Sequence, residues 1–326
     1  MQIVDRLEVG AAQWLLDSEL RQKDSSLFSG RAIRRAATAF RFPQSTVLVH
    51  YRFHTYDLVL PFSHALPRIK KTTPLYSENI GRLSQYLGSV HPGFATIDVG
   101  ANVGDTAAII RAYGANGPLL CIEGSPAYFA LLQRNAEANG LDLSLECSFV
   151  DHQSGECDGM LRVENGTAGL SRQHESITNA RSLIDILDTW PEFKTAGLLK
   201  IDTDGFDNRI IAGSAPWLAE SLPWLFWEFD PVLDREHDGP GTSVFRTLAD
   251  CGYGLAAMYA NTGEFLCSTS VECHTFLCDL SAFLSHRGGI PYVDVCAAPL
   301  KDSSAFLEFC AAERSLMRLS EVSVNV

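Results

Sequence analysis

Thr96-Ile97-Asp98-Val99-Gly100-Ala101-Asn102-Val103-Gly104-Asp105, followed by an apolar run that stops at Glu123, decides the fold. It reads as a buried strand, a glycine turn, a helix, and a second strand ending in a carboxylate. Glycines at 100 and 104 let the backbone turn sharply off the first strand and approach a ligand closely, because a Cβ there would obstruct both. An acidic residue about 20 positions further on, at the tip of the neighbouring parallel strand, is placed to accept hydrogen bonds from both hydroxyls of a ribose. The first expectation is a cofactor that contains a nucleoside.

The dinucleotide fingerprint asks for Gly-x-Gly-x-x-Gly, and counting from Gly100 this chain has Asn102 and Asp105 at the second and third glycine positions. A pyrophosphate rests on the positive N-terminus of the following helix, so a carboxylate at Asp105 repels it. S-adenosylmethionine offers an adenosine, a sulfonium cation and an amino acid with no phosphate, and an acidic pocket of Asp98, Asp105 and Glu123 does not repel it. The cofactor-binding set expected on this reading is Asp98, Gly100, Asn102, Gly104, Glu123, Ser125 and Asp151. Asp151, at the end of a third strand on the same rim, is placed to accept from an adenine amino group, or else is a solvated turn residue.

Outward from this core, the chain of 326 residues has room for one main domain with elaborated ends. Its 46% hydrophobic and 20% charged residues are those of a globular protein with a large core. A net charge of −13 opposes sequence-independent binding to nucleic acid or to anionic membrane surfaces. No run approaches 18 apolar residues, and Asp5, Glu8, Asp17 and Glu19 stand where a secretory or transit peptide is apolar or basic, so the expected location is cytoplasmic. Nine cysteines without a Cys-x-x-Cys pair suit a reducing compartment. Cys267, Cys273, His274 and Cys278 lie close in sequence, on strand-like residues without knuckle spacing, and no metal is expected there.

The expected organisation is an N-terminal extension over 1–92, a core over 93–300 and a helical tail over 301–326. The extension holds an amphipathic helix around Trp14, Leu15, Leu16 and Leu20, and a segment with Arg31, Arg34, Arg35 and Arg41. A hairpin follows, from Val47 to Phe53 and Tyr56 to Leu60, that extends or caps the sheet. Next come His64 between prolines, a basic patch of Arg68, Lys70 and Lys71, and a helix capped at Ser77. The core alternates strand and helix in the rhythm of an α/β, doubly wound, mostly parallel sheet of seven strands. Ser125 and Pro126 open the helix that stops at Gly140, and the third strand runs to about Asp151. Strands are expected again at 197–202 and 222–230, with a hairpin turning at Asn261-Thr262-Gly263 and a last strand near Tyr292 to Ala297 as antiparallel partners.

In open α/β sheets ligands bind outside the carboxyl ends of the strands. Lys200, Asp202 and Asp204 alternate on one face of their strand, which lines up an ammonium and two carboxylates near the cofactor mouth. Methyl transfer from a sulfonium to an alcohol demands alignment and removal of the hydroxyl proton. Asp202 is the candidate for that base or for orienting the nucleophile. Lys200 either lowers the hydroxyl's effective pKa or holds Asp202, and the bland alternative is an ion pair that only satisfies buried charge. Glu228 and His64 are the candidate substrate-binding residues, and the basic patch is either a grip for a substrate anion or a solvated face.

The chain resembles the FkbM family of S-adenosylmethionine-dependent methyltransferases over roughly residues 57 to 260. The carriers are Asp57-Leu-Val-Leu-Pro61 leading to His64, Ile97 to Gly104, Ile122-Glu123 with the helix through Asn135 and Asn139, and Leu199-Lys200-Ile-Asp202-Thr-Asp204-Gly205-Phe-Asp207 with Gly213. That family's pattern usually shows glutamates where this chain has Asp204 and Asp207. The resemblance implies a Rossmann-like class I methyltransferase fold and O-methylation of hydroxyl groups on sugars or natural-product scaffolds. The competing readings are a nucleotide-dependent oxidoreductase or epimerase, which Asp105 opposes, and a silent interaction module, which a buried Lys200–Asp202 pair and a filled cleft would favour. Expected partners are a small-molecule acceptor, neither nucleic acid nor membrane, and a second copy of the chain through the terminal helix.

Overall fold

The computed structural model describes residues 2–21, 47–158, 160–164, 167–171, 177–286 and 291–323, so the segment carrying Arg31, Arg34, Arg35 and Arg41 lies outside the described residues. Strands in chain order are β1 (Leu48–Phe53), β2 (Tyr56–Pro61), β3 (Thr96–Val99), β4 (Leu119–Ile122), β5 (Ser144–Glu146), β6 (Phe149–Asp151), β7 (Gly155–Asp158) and β8 (Met160–Glu164). They continue as β9 (Thr167–Ser171), β10 (Ile177–Ser182), β11 (Leu198–Ile201), β12 (Trp224–Phe229), β13 (Tyr253–Ala260), β14 (Phe265–Ser270) and β15 (Val293–Pro299).

Eight of them form the main sheet, in the order β14-β13-β15-β12-β11-β3-β4-β5. Every residue of β3, β4 and β11 is buried, because helices cover both faces, and a strand buried on both sides shows a continuous apolar run rather than alternation. Neighbours from β5 to β12 are parallel, and β15 enters antiparallel between β12 and β13. The strand beyond the expected seven is β14, which the turn at Asn261–Gly263 folds back along β13 as an antiparallel edge. From β3 the chain winds outward to β4 and β5, then returns to wind the other way through β11 and β12. The reversal opens a crevice over the carboxyl ends of β3 and β11.

Two apolar layers flank the sheet. One gathers Leu83, Leu132, Trp224 and Phe306, and the other Ile97, Leu199, Ile210 and Trp227. The terminal helix Ser303–Ser323 packs Phe306 and Phe309 against Trp224, with ring centroids 5.4 and 6.3 Å apart, and its Glu313 takes a buried ion pair from Arg82 at 2.7 Å. Burying that pair ties the tail to the helix Glu78–Val90 rather than leaving it as a free arm.

Three local expectations need correction. The third strand does not run unbroken to Asp151: β5 ends in the main sheet at Glu146, and β6 joins a separate sheet with β10 and β7. The hairpin β1–β2 forms its own two-stranded sheet, and what fastens it is not strand pairing but the helix Pro126–Asn139. Asn135 Oδ1 accepts the Val59 N–H at 2.8 Å and its Nδ2 donates to Val59 O and Val103 O. Asn139 likewise bridges the backbone of Asp57. His274 and Cys278 are helical, on His274–Ser285, not on a strand. Among the described residues no cluster of three or more His, Cys, Asp or Glu is arranged to hold a metal ion.

Candidate active site

A cavity of about 450 Å³ opens over the carboxyl ends of β3, β4, β11 and β12 and the amino end of the antiparallel β15, a size suited to a small ligand. Its floor is set by register. Lys200 and Asp98 are partners on adjacent parallel strands, so their side chains emerge on the same face, and Nζ lies 3.0 Å from Asp98 Oδ1. The ammonium also donates to Gly100 O at 3.3 Å and forms a second ion pair with Asp202 Oδ2 at 3.4 Å. Burial works against the cation, but Asp98 and Asp202 outweigh it and raise the lysine above its ordinary value. This favours the charged form of Lys200, suited to holding carboxylates rather than to acting as a base.

Asp98, expected in the cofactor pocket, is fully buried beside that ammonium and is not among the residues lining the cavity. Gly100 is indispensable for a different reason from the one expected: at φ +80 a Cβ would lie 1.9 Å from Asp202 O. The turn is tight because the end of β11 crowds it, and Gly100 also stands in the cavity wall. Gly104, at φ +90, faces Leu132 from the start of the helix Asp105–Ala112 and lines no part of the cavity.

Glu123 does stand in the wall, at the end of β4. Its Oε2 accepts the Asn102 N–H at 2.8 Å and Oε1 accepts the Ser125 N–H at 2.7 Å. Each oxygen keeps capacity to accept a further hydrogen bond. Burial pushes this carboxyl up, and the two N–H donors and Lys200 counter it. Ser125 therefore contributes its backbone; its side chain neither caps the helix Pro126–Asn139 nor reaches the cavity. Ile122, Gly124 and Phe149 form an apolar wall beside Glu123.

Asp151 is a correction. Arg209 grips both of its oxygens, at 2.9 and 2.7 Å, and Asp151 also takes the His152 N–H, so its carboxylate is consumed away from the cavity. His64 lines the cavity, yet both ring nitrogens are engaged: Nδ1 accepts the Leu66 N–H and Nε2 faces Asn102 Oδ1, each at 3.2 Å. It has no lone pair to offer as a base. The basic patch is spent internally as well. Arg68 binds Glu19 and the carbonyls of Phe62 and His64, Lys70 binds Glu78, and Lys71 binds Glu19 O.

Beyond Lys200 the wall turns acidic. Asp202 has a half-exposed side chain at the tip of β11. Asp204, at φ +52, is pushed up to about 6 by burial and then by Asp202. Glu228 and Asp294 are directly opposed on the antiparallel pair β12–β15. Burial, then Asp202, raises Glu228 well above the carboxylate range, and it has no hydrogen-bond or ion-pair partner among the described residues. Asp294 is pushed up to about 7 by burial, against a 2.8 Å hydrogen bond from Asn79. Asp294, Asn79 and the tyrosines Tyr76 and Tyr292 at this end escaped sequence reasoning. The one available signal was that Asp294 alternates with Tyr292 on a strand assigned correctly.

A mostly parallel α/β sheet with one antiparallel strand wedged beside its parallel ones, and its crevice at the strand reversal, has the architecture of a Rossmann-like class I methyltransferase. No protein-family profile matches the chain, and no curated protein matches it. Among solved structures it is similar to a methyltransferase FkbM from Methylobacillus flagellatus KT, at 15% identity and a TM-score of 0.36 over 51% of this chain and 40% of that one. This chain thus spans two-fifths of that longer protein. It is also similar to a SAM-dependent methyltransferase from Agrobacterium tumefaciens, at 8% identity and TM-score 0.42, over 79% of this chain and 72% of that one. An O-methyltransferase from Bacillus cereus, solved with SAH, aligns at 11% identity and TM-score 0.38 over 89% and 97%. TM-scores this low carry no weight for the activity, and the site's own geometry has to supply it.

Proposed function

We propose that the chain is an S-adenosylmethionine-dependent O-methyltransferase acting on a hydroxyl of a small molecule, with sugars and natural-product scaffolds as the acceptor class. The observation that supports it is Glu123. Two backbone N–H groups hold this carboxylate at the end of the second parallel strand, in the wall of a cavity also lined by Asp105, Asp202, Asp204 and Glu228. Ribose hydroxyls would donate to Glu123, and the adenine would rest on Ile122, Gly124 and Phe149. Asp105, in the first turn of its helix and in the cavity wall, opposes a diphosphate there, which disfavours the oxidoreductase or epimerase reading.

S-adenosylmethionine would supply the methyl group from a sulfonium, a cation that the acidic wall accommodates. Asp202 is placed to take the acceptor's proton as oxygen attacks, because it is the exposed carboxylate at the tip of β11. Lys200 positions Asp202 and does no proton transfer of its own. Glu228 is the acceptor-side hydrogen-bond group. An open cavity and an exposed Asp202 count against a silent module, although Lys200 is buried.

Calorimetric titration with S-adenosylhomocysteine and with NADH tests the reading, followed by mass spectrometry of metabolite extracts for species that gain one methyl group when the protein and S-adenosylmethionine are added. Binding of S-adenosylhomocysteine and such a gain are expected. Binding of NADH alone would reverse the assignment.

A further inference from the structure

His64 sits just ahead of the helix Leu66–Thr72, outside the main sheet, and is 7% exposed. Because Nδ1 accepts the Leu66 N–H, the ring proton of the neutral imidazole belongs on Nε2, which then donates to Asn102 Oδ1. Asn102 is held at φ +50, a conformation that residues other than glycine seldom adopt. Its backbone N–H is one of the two donors that hold Glu123. Four groups from three separate parts of the chain thus follow one another: the Leu66 amide, the His64 ring, Asn102 and Glu123.

We propose that His64 is a positioning residue for the cofactor: through Asn102 it keeps an N–H aimed at Glu123, so the segment preceding the methyltransferase sheet sets the affinity for the nucleoside. This rests on the reading of Glu123 as the ribose acceptor. The surroundings keep the imidazole neutral. Tyr128 meets it edge-on at 6.2 Å, with a buried hydroxyl that has no hydrogen-bond partner, and Arg68 brings the nearest cation, its guanidinium 3.2 Å from His64 O. Glu123, the closest acid in the line, is separated from the ring by Asn102. Burial foremost, and Arg68, lower the histidine below its ordinary value against the opposing hydrogen bond to Asn102. Once protonated, Nδ1 no longer accepts from Leu66 and the line is broken at its start.

The test is the dissociation constant for S-adenosylhomocysteine, measured by calorimetry between pH 5 and 8 on wild type, His64→Ala and His64→Gln, with thermal unfolding in parallel. His64→Ala should bind about tenfold more weakly at pH 7.5. His64→Gln, whose carboxamide N–H can donate to Asn102, should recover to within about threefold. Wild-type affinity should fall more steeply below pH 6 than that of His64→Gln, which lacks the titrating ring. Equal affinity of His64→Ala and wild type, equal weakness of both variants, or superimposable pH profiles of wild type and His64→Gln would overturn the inference alone. If wild-type protein binds no S-adenosylhomocysteine, the proposed function fails and the inference falls with it.

Discussion

The two halves of the cavity, divided by Lys200, are built on opposite terms. On the β3–β4 side Asp98 has the Lys200 ammonium as its ion-pair partner, though no hydrogen bond among the described residues, and Glu123 has two backbone amides. On the β11–β12–β15 side Asp204 and Glu228 have neither hydrogen bond nor ion pair among the described residues, and Asp207 leaves one buried oxygen unpaired. A compensated carboxylate is a fixed acceptor, ready for a ligand hydroxyl at little reorganisation cost. An uncompensated one stays partly protonated near neutrality and adapts to what arrives. The contrast suits a constant cofactor on one side and an acceptor on the other.

The most drastic way to break the contrast is to make the first half resemble the second. Lys200→Met leaves Asp98 buried without its cation, and the expected cost is roughly 3–5 kcal/mol of folding stability in urea denaturation. Asp98→Asn added to it should return part of that loss, since the buried charge is then gone. A variant as stable as wild type would show that the floor pair is dispensable.

A sharper comparison sets Glu123 against Glu228. Glu123→Gln removes a charged acceptor of two ribose hydroxyls, an expected loss of about 2 kcal/mol, or roughly 30-fold in S-adenosylhomocysteine affinity by calorimetry. Glu228→Gln should move that affinity by less than about threefold and depress methyl transfer instead. Equal effects of the two on cofactor binding would erase the proposed division of the cavity.

The smallest effect concerns pH. Asp204, at about 6, and Asp207 and Asp294, at about 7, hold protons more tightly folded than unfolded. The folded chain therefore binds more protons than the unfolded one from about pH 4 up to pH 7, and stability falls as pH rises through that window. Cooling the comparison to one span, the melting temperature of the ligand-free protein should rise from pH 8 to pH 6.5, by the equivalent of about 1 kcal/mol. His64 works against the rise at the acid end of the span, because its pKa is lowered on folding and the unfolded chain takes up a proton near pH 6.5 that the folded ring does not. Asp294→Asn should shrink the rise, and a melting temperature that falls over this span would contradict the uncompensated half.

Much of this frame was legible in the residues. Apolar runs that stop at acids marked β3, β4, β11 and β12, and the Gly100 turn marked the mouth of the cavity. Most of the region 152–195 was not legible, because β7 to β10 lie outside the main sheet in small sheets of two and three strands, where no continuous apolar run announces a strand. Asp98 was misplaced for another reason. The sequence placed it in the acidic pocket by its position before the glycine turn, and only its register partner Lys200 shows that it is paired in the buried floor.

The amino-acid order by itself determined which backbone segments turn, and that carboxylates crown the parallel strands, because glycine conformations and apolar periodicity act over a few residues. Tertiary structure alone decided which of those carboxylates are neutralised. Asp98 meets Lys200, Asp151 meets Arg209, Asn102 meets His64, and Glu228 faces Asp294 without relief. Such pairings depend on strand register and helix placement across distant segments, and a buried charge responds to whatever lies within a few ångströms, however far away along the chain.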